Sequence, residues 1–285
     1  VKNEESGKTV YSVLKASENF LSDCGIGDAK SSAEVLLSFV LNTSRSKLPL
    51  ARDQKLSKKE INVFNDHILR RSKREPTAYI TGYCGFMGFE FKVNKDVLIP
   101  RPETEILVEK VLETANKSKI ETVLDLCTGS GCIAVSLSKL GDFKEIFAVD
   151  ISFEALMTAK ENAASNAVKN IEFLLSDMFD TLENIKFDCI VSNPPYVSES
   201  EYKNLEPELK FEPEIALTAP GDGLLFYKKI ALGSPKYLNK NGHLFVELNA
   251  NYPEEIKKIF KDAGFKNTEI IEDYSHLPRV LKASL

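Results

Sequence analysis

The sequence predicts an α/β protein in which a mostly parallel sheet, covered by helices on both faces, follows a small helical domain and a β-hairpin connector. Three observations carry this reading. From residue 120 onward, short apolar strands alternate with helical segments, as in a parallel sheet buried on both sides. Residues 1 to about 75 instead carry apolar side chains at helical spacing. Between them, a stretch rich in glycine and aromatic residues has the composition of a twisted hairpin. The boundaries implied are 1–76, 77–98 and 99–285.

In the first segment the helical spacing is set by Val10, Leu14 and Leu21, then by Val35, Leu36, Phe39 and Val40, and then by Ile61, Phe64, Ile68 and Leu69. Three or more short helices are expected, the last stopped by Pro76. Tyr79 to Val93 then supplies the hairpin, turning near Gly88. The run Ile99-Pro100-Arg101-Pro102-Glu103-Thr104-Glu105 reads as a proline-stiffened entry into a helix whose acidic first turn complements its dipole, with Ile106, Leu107, Val111 and Leu112 turned inward.

The expected strands are Thr122 to Leu126, Glu145 to Val149, Ile171 to Leu175, Phe187 to Ser192 and His243 to Leu248, with Thr268 to Ile271 and Arg279 to Leu285 as a terminal hairpin. Ser152 is placed to cap a helix from Phe153 to Ser165. Asp222 is expected to start a helix through Tyr227, and Tyr252 to Ala263 a helix ended by Gly264.

With 285 residues, 43% of them hydrophobic and 28% charged, the chain has material for one large core and one small one. No apolar run approaches the roughly 18 residues of a membrane span, so the cytoplasm is the expected location. The five cysteines are an odd count, and Cys127, Cys132 and Cys189 fall in or beside expected buried elements rather than at framework spacings, so they read as reduced packing residues. Three scattered histidines, His67, His243 and His276, offer no ligand pair, and no metal site is expected. The net charge of −5 argues against a surface devoted to nucleic acid. Residues 45 to 75 nevertheless hold ten basic side chains against four acidic ones, and a solvated helical face is the preferred explanation over a docking surface.

Two motifs carry chemistry. Asn193-Pro194-Pro195-Tyr196 follows an apolar strand, placing an amide, two rigid residues and an aromatic ring where a planar NH2 group can be held. Upstream, Asp125-Leu126-Cys127-Thr128-Gly129-Ser130-Gly131 lets the backbone turn sharply and approach a ligand before a helix begins near Cys132. Asp150, about 20 residues past the glycine loop, is placed to accept both hydroxyl hydrogens of a ribose. The run Gly129-Ser130-Gly131-Cys132-Ile133-Ala134 also matches a relaxed dinucleotide pattern, which keeps a nicotinamide-dependent oxidoreductase open. Against it, Asp125 is positioned to pair with the amino group of an amino-acid ligand, and no hydride-transfer group follows.

Together with Glu75-Pro76-Thr77-Ala78-Tyr79-Ile80-Thr81-Gly82 and the Pro-Arg-Pro-Glu-Thr-Glu run, these motifs resemble the HemK-type release factor glutamine methyltransferases, from about residue 75 to the C-terminus. The resemblance implies a Rossmann-like class I methyltransferase domain with a seven-stranded sheet, using S-adenosyl-L-methionine and releasing S-adenosyl-L-homocysteine. It assigns Cys127, Thr128, Gly129, Ser130, Gly131, Asp150, Asp177, Met178 and Asn193 to the cofactor, with Asp177 accepting from the adenine amine and Met178 covering the ring. Asn193, Pro194, Pro195 and Tyr196 are assigned to the glutamine of a Gly-Gly-Gln loop, with Asn193, Pro194 and Tyr196 as the catalytic set. Cys127 stands where glycine is common, which narrows the loop slightly.

The implied partners are peptide chain release factors docked by the helical domain of a monomer, with no nucleic acid or membrane bound directly. The segment Glu199 to Glu214, with six glutamates that are mostly expected to be solvated, is a candidate lid. Two alternatives remain at this stage besides the oxidoreductase: a methyltransferase acting on an exocyclic base amine, which presents the same flat NH2, and a cofactor sensor without turnover.

Overall fold

The computed structural model describes residues 7–183 and 185–285. The chain forms two compact units. The first runs to Gly82 and includes Pro207–Phe211; the second comprises Tyr83–Glu206 and Glu212–Leu285.

The first unit contains α1 (Val10–Asp23), α2 (Ala29–Val40), α3 (Lys58–Ser72) and the short α4 (Thr77–Thr81). Reciprocal capping boxes, Thr9 with Ser12 and Ser57 with Glu60, fix the starts of α1 and α3. Val10, Leu21, Leu36, Leu37, Phe64 and Ile68 form the core. Phe39 and Leu69 share the helical spacing but are 45% and 53% exposed, so the buried stripe is narrower than the apolar one. Helix α3 stops at Ser72, four residues before Pro76. That proline instead precedes α4, where its fixed φ of −58° suits a helix start. The turn of helix that results replaces the first part of the expected hairpin.

Much of the basic run in this unit is internally paired. Arg71 is 5% exposed and donates to Asp28 at 2.9 Å, to Ser32 at 3.0 Å and to Glu208 at 3.0 Å. Arg74 reaches Glu208 at 3.2 Å, while Arg70 pairs with Glu75 and Arg45 with Glu34. Charge density in the sequence therefore overstates the free positive charge.

The second unit opens with a two-stranded hairpin, β1 (Tyr83–Phe86) and β2 (Phe89–Lys92). Its two turn residues, Met87 and Gly88, both have positive φ, matching the right-handed strand twist. Helix α5 (Pro102–Ala115) follows with proline in its first turn and Glu103 and Glu105 near its positive end. Next come β3 (Thr122–Leu126), α6 (Cys132–Leu140), β4 (Glu145–Asp150), α7 (Phe153–Ser165), β5 (Ile171–Leu175) and β6 (Phe187–Ser192). The short α8 (Glu199–Tyr202) and α9 (Glu214–Leu217) precede α10 (Leu225–Tyr237), β7 (Leu238–Glu247), α11 (Pro253–Asp262), β8 (Asn267–Glu272) and β9 (Pro278–Ser284).

The seven strands β3 to β9 form one sheet, ordered β5-β4-β3-β6-β7-β9-β8. Pairings from β5 through β7 are parallel, and β9 joins β7 and β8 antiparallel. Strand residues alternate between the two faces. Leu124, Phe147, Ile190 and Leu244 pack with α10 and α11 through Tyr227, Ile230, Ile256 and Phe260. Val123, Ile146, Val191 and Phe245 pack with α5 and α6 through Leu107, Val111, Ile133 and Leu137. Two elements differ from the sequence reading. Helix α10 starts at Leu225, because Asp222 accepts from Leu224 N at 3.0 Å and caps the turn before it. Strand β7 begins at Leu238, its polar Asn-Lys-Asn-Gly stretch giving no apolar signal.

One polar side chain ties three segments of this unit together. Asn162 on α7, fully buried, accepts from Lys92 N at 2.7 Å and donates to Lys92 O at 3.0 Å and to Ser130 O at 2.8 Å. Replacing it with alanine orphans the buried Ser130 carbonyl of the glycine loop and part-buried backbone groups of the hairpin. Asn162→Ala is expected to lose roughly 1–3 kcal/mol in urea unfolding. An unchanged midpoint and slope would show that these contacts contribute nothing.

Candidate active site

Strand order reverses at β3, and the carboxyl ends on either side of that point leave a crevice between diverging connections. The register decides what lines it. Leu126 pairs with Val149 on one side and with Ser192 on the other, so the next residues, Cys127, Asp150 and Asn193, lie side by side at the carboxyl edge of the sheet. Ser192 Oγ donates to Leu126 O at 2.8 Å and holds β6 to β3 at this edge.

The resulting open cleft encloses about 860 Å³, solvent side included. Cys127, Gly129, Asp150, Asp177, Met178, Asn193 and Pro195 line it. Thr128, Ser130, Gly131, Pro194 and Tyr196 are not among the lining residues. Thr128 and Ser130 are buried, and Thr128 donates to Asp125 at 2.6 Å. Gly131 has a φ of 78°, and a Cβ there would sit 3.0 Å from the Ala159 side chain, so helix packing demands glycine. Cys127 itself adopts a φ of 61°, which explains why glycine suits this position.

Asp150 is fixed by Gly129 N at 2.8 Å and Ser152 N at 2.9 Å. Burial pushes its carboxyl above the ordinary range, and these backbone donors oppose the shift. A carboxylate offers about four acceptor positions, so this one retains capacity for ligand hydroxyls. Asp125 is fully buried; burial raises its carboxyl to about 7 against the pull of Thr128 and the Ala134 amide. Among the described residues its Oδ1 has no hydrogen-bond partner. On the opposite wall Met178, also at positive φ, brings its sulfur 3.8 Å from that of Cys127. Asp177 lies 3.3 Å from the Lys229 ammonium, an exposed pair at the rim.

The acceptor loop is braced from behind. Asn193 Nδ2 donates to Thr104 Oγ1 at 3.2 Å, and Thr104 donates to Glu247 Oε2 at 2.6 Å. Tyr196 OH donates to Glu247 Oε1 at 3.4 Å, while its backbone N reaches Leu217 O at 3.2 Å and its carbonyl accepts from Asn249 at 3.3 Å. Gly223, φ 82°, packs so closely that a Cβ would meet Tyr196 O at 2.6 Å. Burial raises Glu247 to about 7 and drives the Tyr196 phenol well above its usual value. Further along, Glu212 is buried, accepts from Ile99 N at 3.0 Å and pairs with Arg101. Glu201 caps α8. Three of the six acids expected to be solvated, Glu201, Glu208 and Glu212, are thus structural.

Sequence reasoning passed over Glu247, Gly223 and Lys229, and read Thr104 only as part of a helix entry. The one available signal was Glu247, an acid inside the apolar run Leu244-Phe245-Val246-Glu247-Leu248.

Comparison with known proteins places this geometry in a family. A model described as the PrmC N-terminal domain matches residues 12–82, and one described as the methyltransferase small domain matches residues 102–222. A release factor glutamine methyltransferase of Thermodesulfovibrio yellowstonii is 39% identical, covering 87% of this chain and 90% of its own length. The chain belongs to the release factor glutamine methyltransferase family. A second member, from Clostridium acetobutylicum, is 37% identical over 96% of this chain and 95% of its own. Among solved structures, a methyltransferase from Pyrococcus furiosus superposes with a TM-score of 0.53 at 16% identity, covering 80% of this chain and 98% of that one. The class I methyltransferase fold is therefore shared well beyond the family.

The buried acids make a pH signature. Asp125 has an ordinary value of 3.8 and is raised to about 7, so the folded protein holds its proton where the unfolded chain has released it. The stability it contributes is present below the unfolded value and is lost as pH rises through the folded one. Asp125→Asn removes this dependence. The variant's melting temperature relative to wild type is expected to rise between about pH 5 and about pH 8; a constant difference would place Asp125 ionised at both.

Proposed function

We infer that the chain transfers the methyl group of S-adenosyl-L-methionine to the side-chain amide nitrogen, N5, of the glutamine in the Gly-Gly-Gln loop of peptide chain release factors, and so modulates translation termination. Family membership supports the substrate class and the cofactor. The observation that carries the chemistry is the orientation of Asn193: with its Nδ2 engaged by Thr104, its Oδ1 is left as an acceptor on the cleft wall.

The residues present fit the cofactor. Asp150, already anchored by two backbone amides, would accept from the ribose hydroxyls. Asp125 is fully buried and is not among the residues that line the cleft; a nearby ammonium charge would favour its ionised carboxylate. Met178 and Phe226 offer apolar surface for a purine, and Asp177 a rim acceptor for its amine. When bound, the cofactor supplies a methyl carbon activated by a positively charged sulfur.

The work left to the chain is positioning. A carboxamide nitrogen is a weak nucleophile because its lone pair is delocalised into the carbonyl. We assign Asn193 Oδ1 and the Pro194 carbonyl to the two N–H bonds of the substrate amide, so that the nitrogen is drawn out of plane and its electrons are aimed in line with the methyl carbon. Tyr196, tied at its hydroxyl and at both backbone groups, holds this loop in place while Pro195 faces the cleft. No strong base is required before attack, since the alkylated nitrogen becomes acidic and loses its proton to water or a nearby acceptor.

Among the described residues no helix is long and apolar enough to cross a membrane. We take the protein to act in the cytoplasm as a monomer, the helical unit docking the release factor without direct contact to nucleic acid.

Two measurements test the assignment. Asn193→Ala is expected to bind cofactor with a modest loss while turnover on purified release factor falls on the order of a hundredfold. Near-normal turnover would remove Asn193 from the mechanism. Asp150→Ala is expected to weaken cofactor binding by about tenfold or more in calorimetry; unchanged affinity would refute the ribose assignment.

A further inference from the structure

An amide side chain has two ends of nearly equal size and opposite polarity, and only its oxygen can accept from a substrate NH2. Which end of Asn193 faces the cleft is therefore a matter of what binds the other end. Thr104 Oγ1 carries a single proton, and at 2.6 Å that proton lies on Glu247 Oε2. Only lone pairs remain toward Asn193, and lone pairs accept the NH2 end. Glu247 is 3% exposed, at the carboxyl end of β7, and its other oxygen accepts from Tyr196 in the same acceptor loop.

We propose that Glu247 is a positioning residue: acting through Thr104 it sets the polarity of the Asn193 amide, and acting through Tyr196 it holds the loop that carries it. This rests on the reading of Asn193 Oδ1 as the acceptor of the substrate amide. Ionised Glu247 enforces the productive polarity. Protonated Glu247 donates to Thr104 instead, which frees the threonine hydroxyl to donate to Asn193 Oδ1; the amide then presents its NH2 to the incoming NH2, and the two repel.

The groups facing Glu247 are Thr104 and Glu103 on α5, Cys132 on α6, Tyr196 after β6, Tyr227 on α10 and Arg279 on β9. Glu103 opposes ionisation and Arg279 favours it, but burial dominates and lifts the carboxyl to about 7. Turnover is expected to rise with pH through that value as the ionised form takes over.

The test uses the full chain, purified release factor, labelled S-adenosylmethionine and calorimetry with S-adenosylhomocysteine. Thr104→Val should lower kcat about tenfold or more with product affinity held within about twofold. Thr104→Ser, which restores the hydroxyl, should recover most of the loss. In an Asn193→Ala background Thr104→Val should add nothing, because its route of action is gone. Glu247→Gln should lack the acid limb of the kcat profile. Wild-type kcat in Thr104→Val, additive losses in the double variant, no rescue by serine, or a retained acid limb in Glu247→Gln would each overturn the proposal. If Thr104→Val loses its near-ultraviolet dichroism, the Glu247→Gln profile decides alone. A fast Asn193→Ala enzyme would sink the acceptor reading itself, whereas a slow Asn193→Ala with a fast Thr104→Val sinks only the positioning role.

Discussion

The parallel register around β3 is the constraint on which the site depends. Leu126 faces Val149 and Ser192 in adjacent strands, and a shift of one residue in either pairing would turn Asp150 or Asn193 to the opposite face of the sheet. The pairing is held by burial on both faces, since Leu124, Leu126, Ile190 and Val191 are all inaccessible to solvent. The large apolar cores above and below the sheet thus do more than stabilise the fold. They fix which three side chains meet at the switch point, and the glycine loop and acceptor loop are elaborations of that fixed edge.

Around this edge the chain buries acids that an apolar core would ordinarily exclude. Asp125, Asp150 and Glu247 are each desolvated, and each is compensated by neutral donors rather than by a basic side chain in direct hydrogen-bond contact: the Thr128 hydroxyl, the Gly129 and Ser152 amides, and the Thr104 and Tyr196 hydroxyls. Neutral donors orient a carboxylate without cancelling its charge. Of the three only Asp150 lines the cleft, where an ionised carboxylate favours a cationic ligand, and a sulfonium with an ammonium group is one.

Much of the second unit was legible in the sequence because its strands are buried on both faces and so read as continuous apolar runs. Thr122–Leu126 and Phe187–Ser192 match their expected limits, as does Ile171–Leu175, an edge strand that is only partly buried but equally apolar in sequence. Where polarity and structure part, legibility fails: β7 starts at Leu238 and runs through Asn-Lys-Asn-Gly, and α10 starts late because Asp222 caps a turn rather than the helix. In the first unit Phe39 and Leu69 look like core by spacing alone, since periodicity registers a stripe but not its width. Within the site, Cys127, Gly129, Asp150, Asn193 and Pro195 lie in recognisable motifs, whereas Val97, Phe226 and Lys229 line the cleft from segments that carry none. Thr104 and Glu247 are separated by 143 positions, and no local pattern reveals that their side chains meet.

Two of the eight side-chain-bearing residues with positive φ among the described residues lie at this edge. Cys127 and Met178 both hold left-handed φ angles that cost a side-chain-bearing residue on the order of 1–2 kcal/mol, and their sulfurs touch at 3.8 Å. Neither position is free to relax. Cys127 follows directly on the β3 pairing and precedes Thr128, whose amide donates to Val149 O at 3.0 Å; Met178 closes a turn in which Ser176 Oγ donates to Met178 O at 3.1 Å. A glycine at either site would lower the strain but would also remove polarisable surface from a cleft that Val97, Ile151 and Phe226 also line. The strained side chains therefore add to the apolar surface beside Asp150, and the rigid strand edge beneath them keeps it in place.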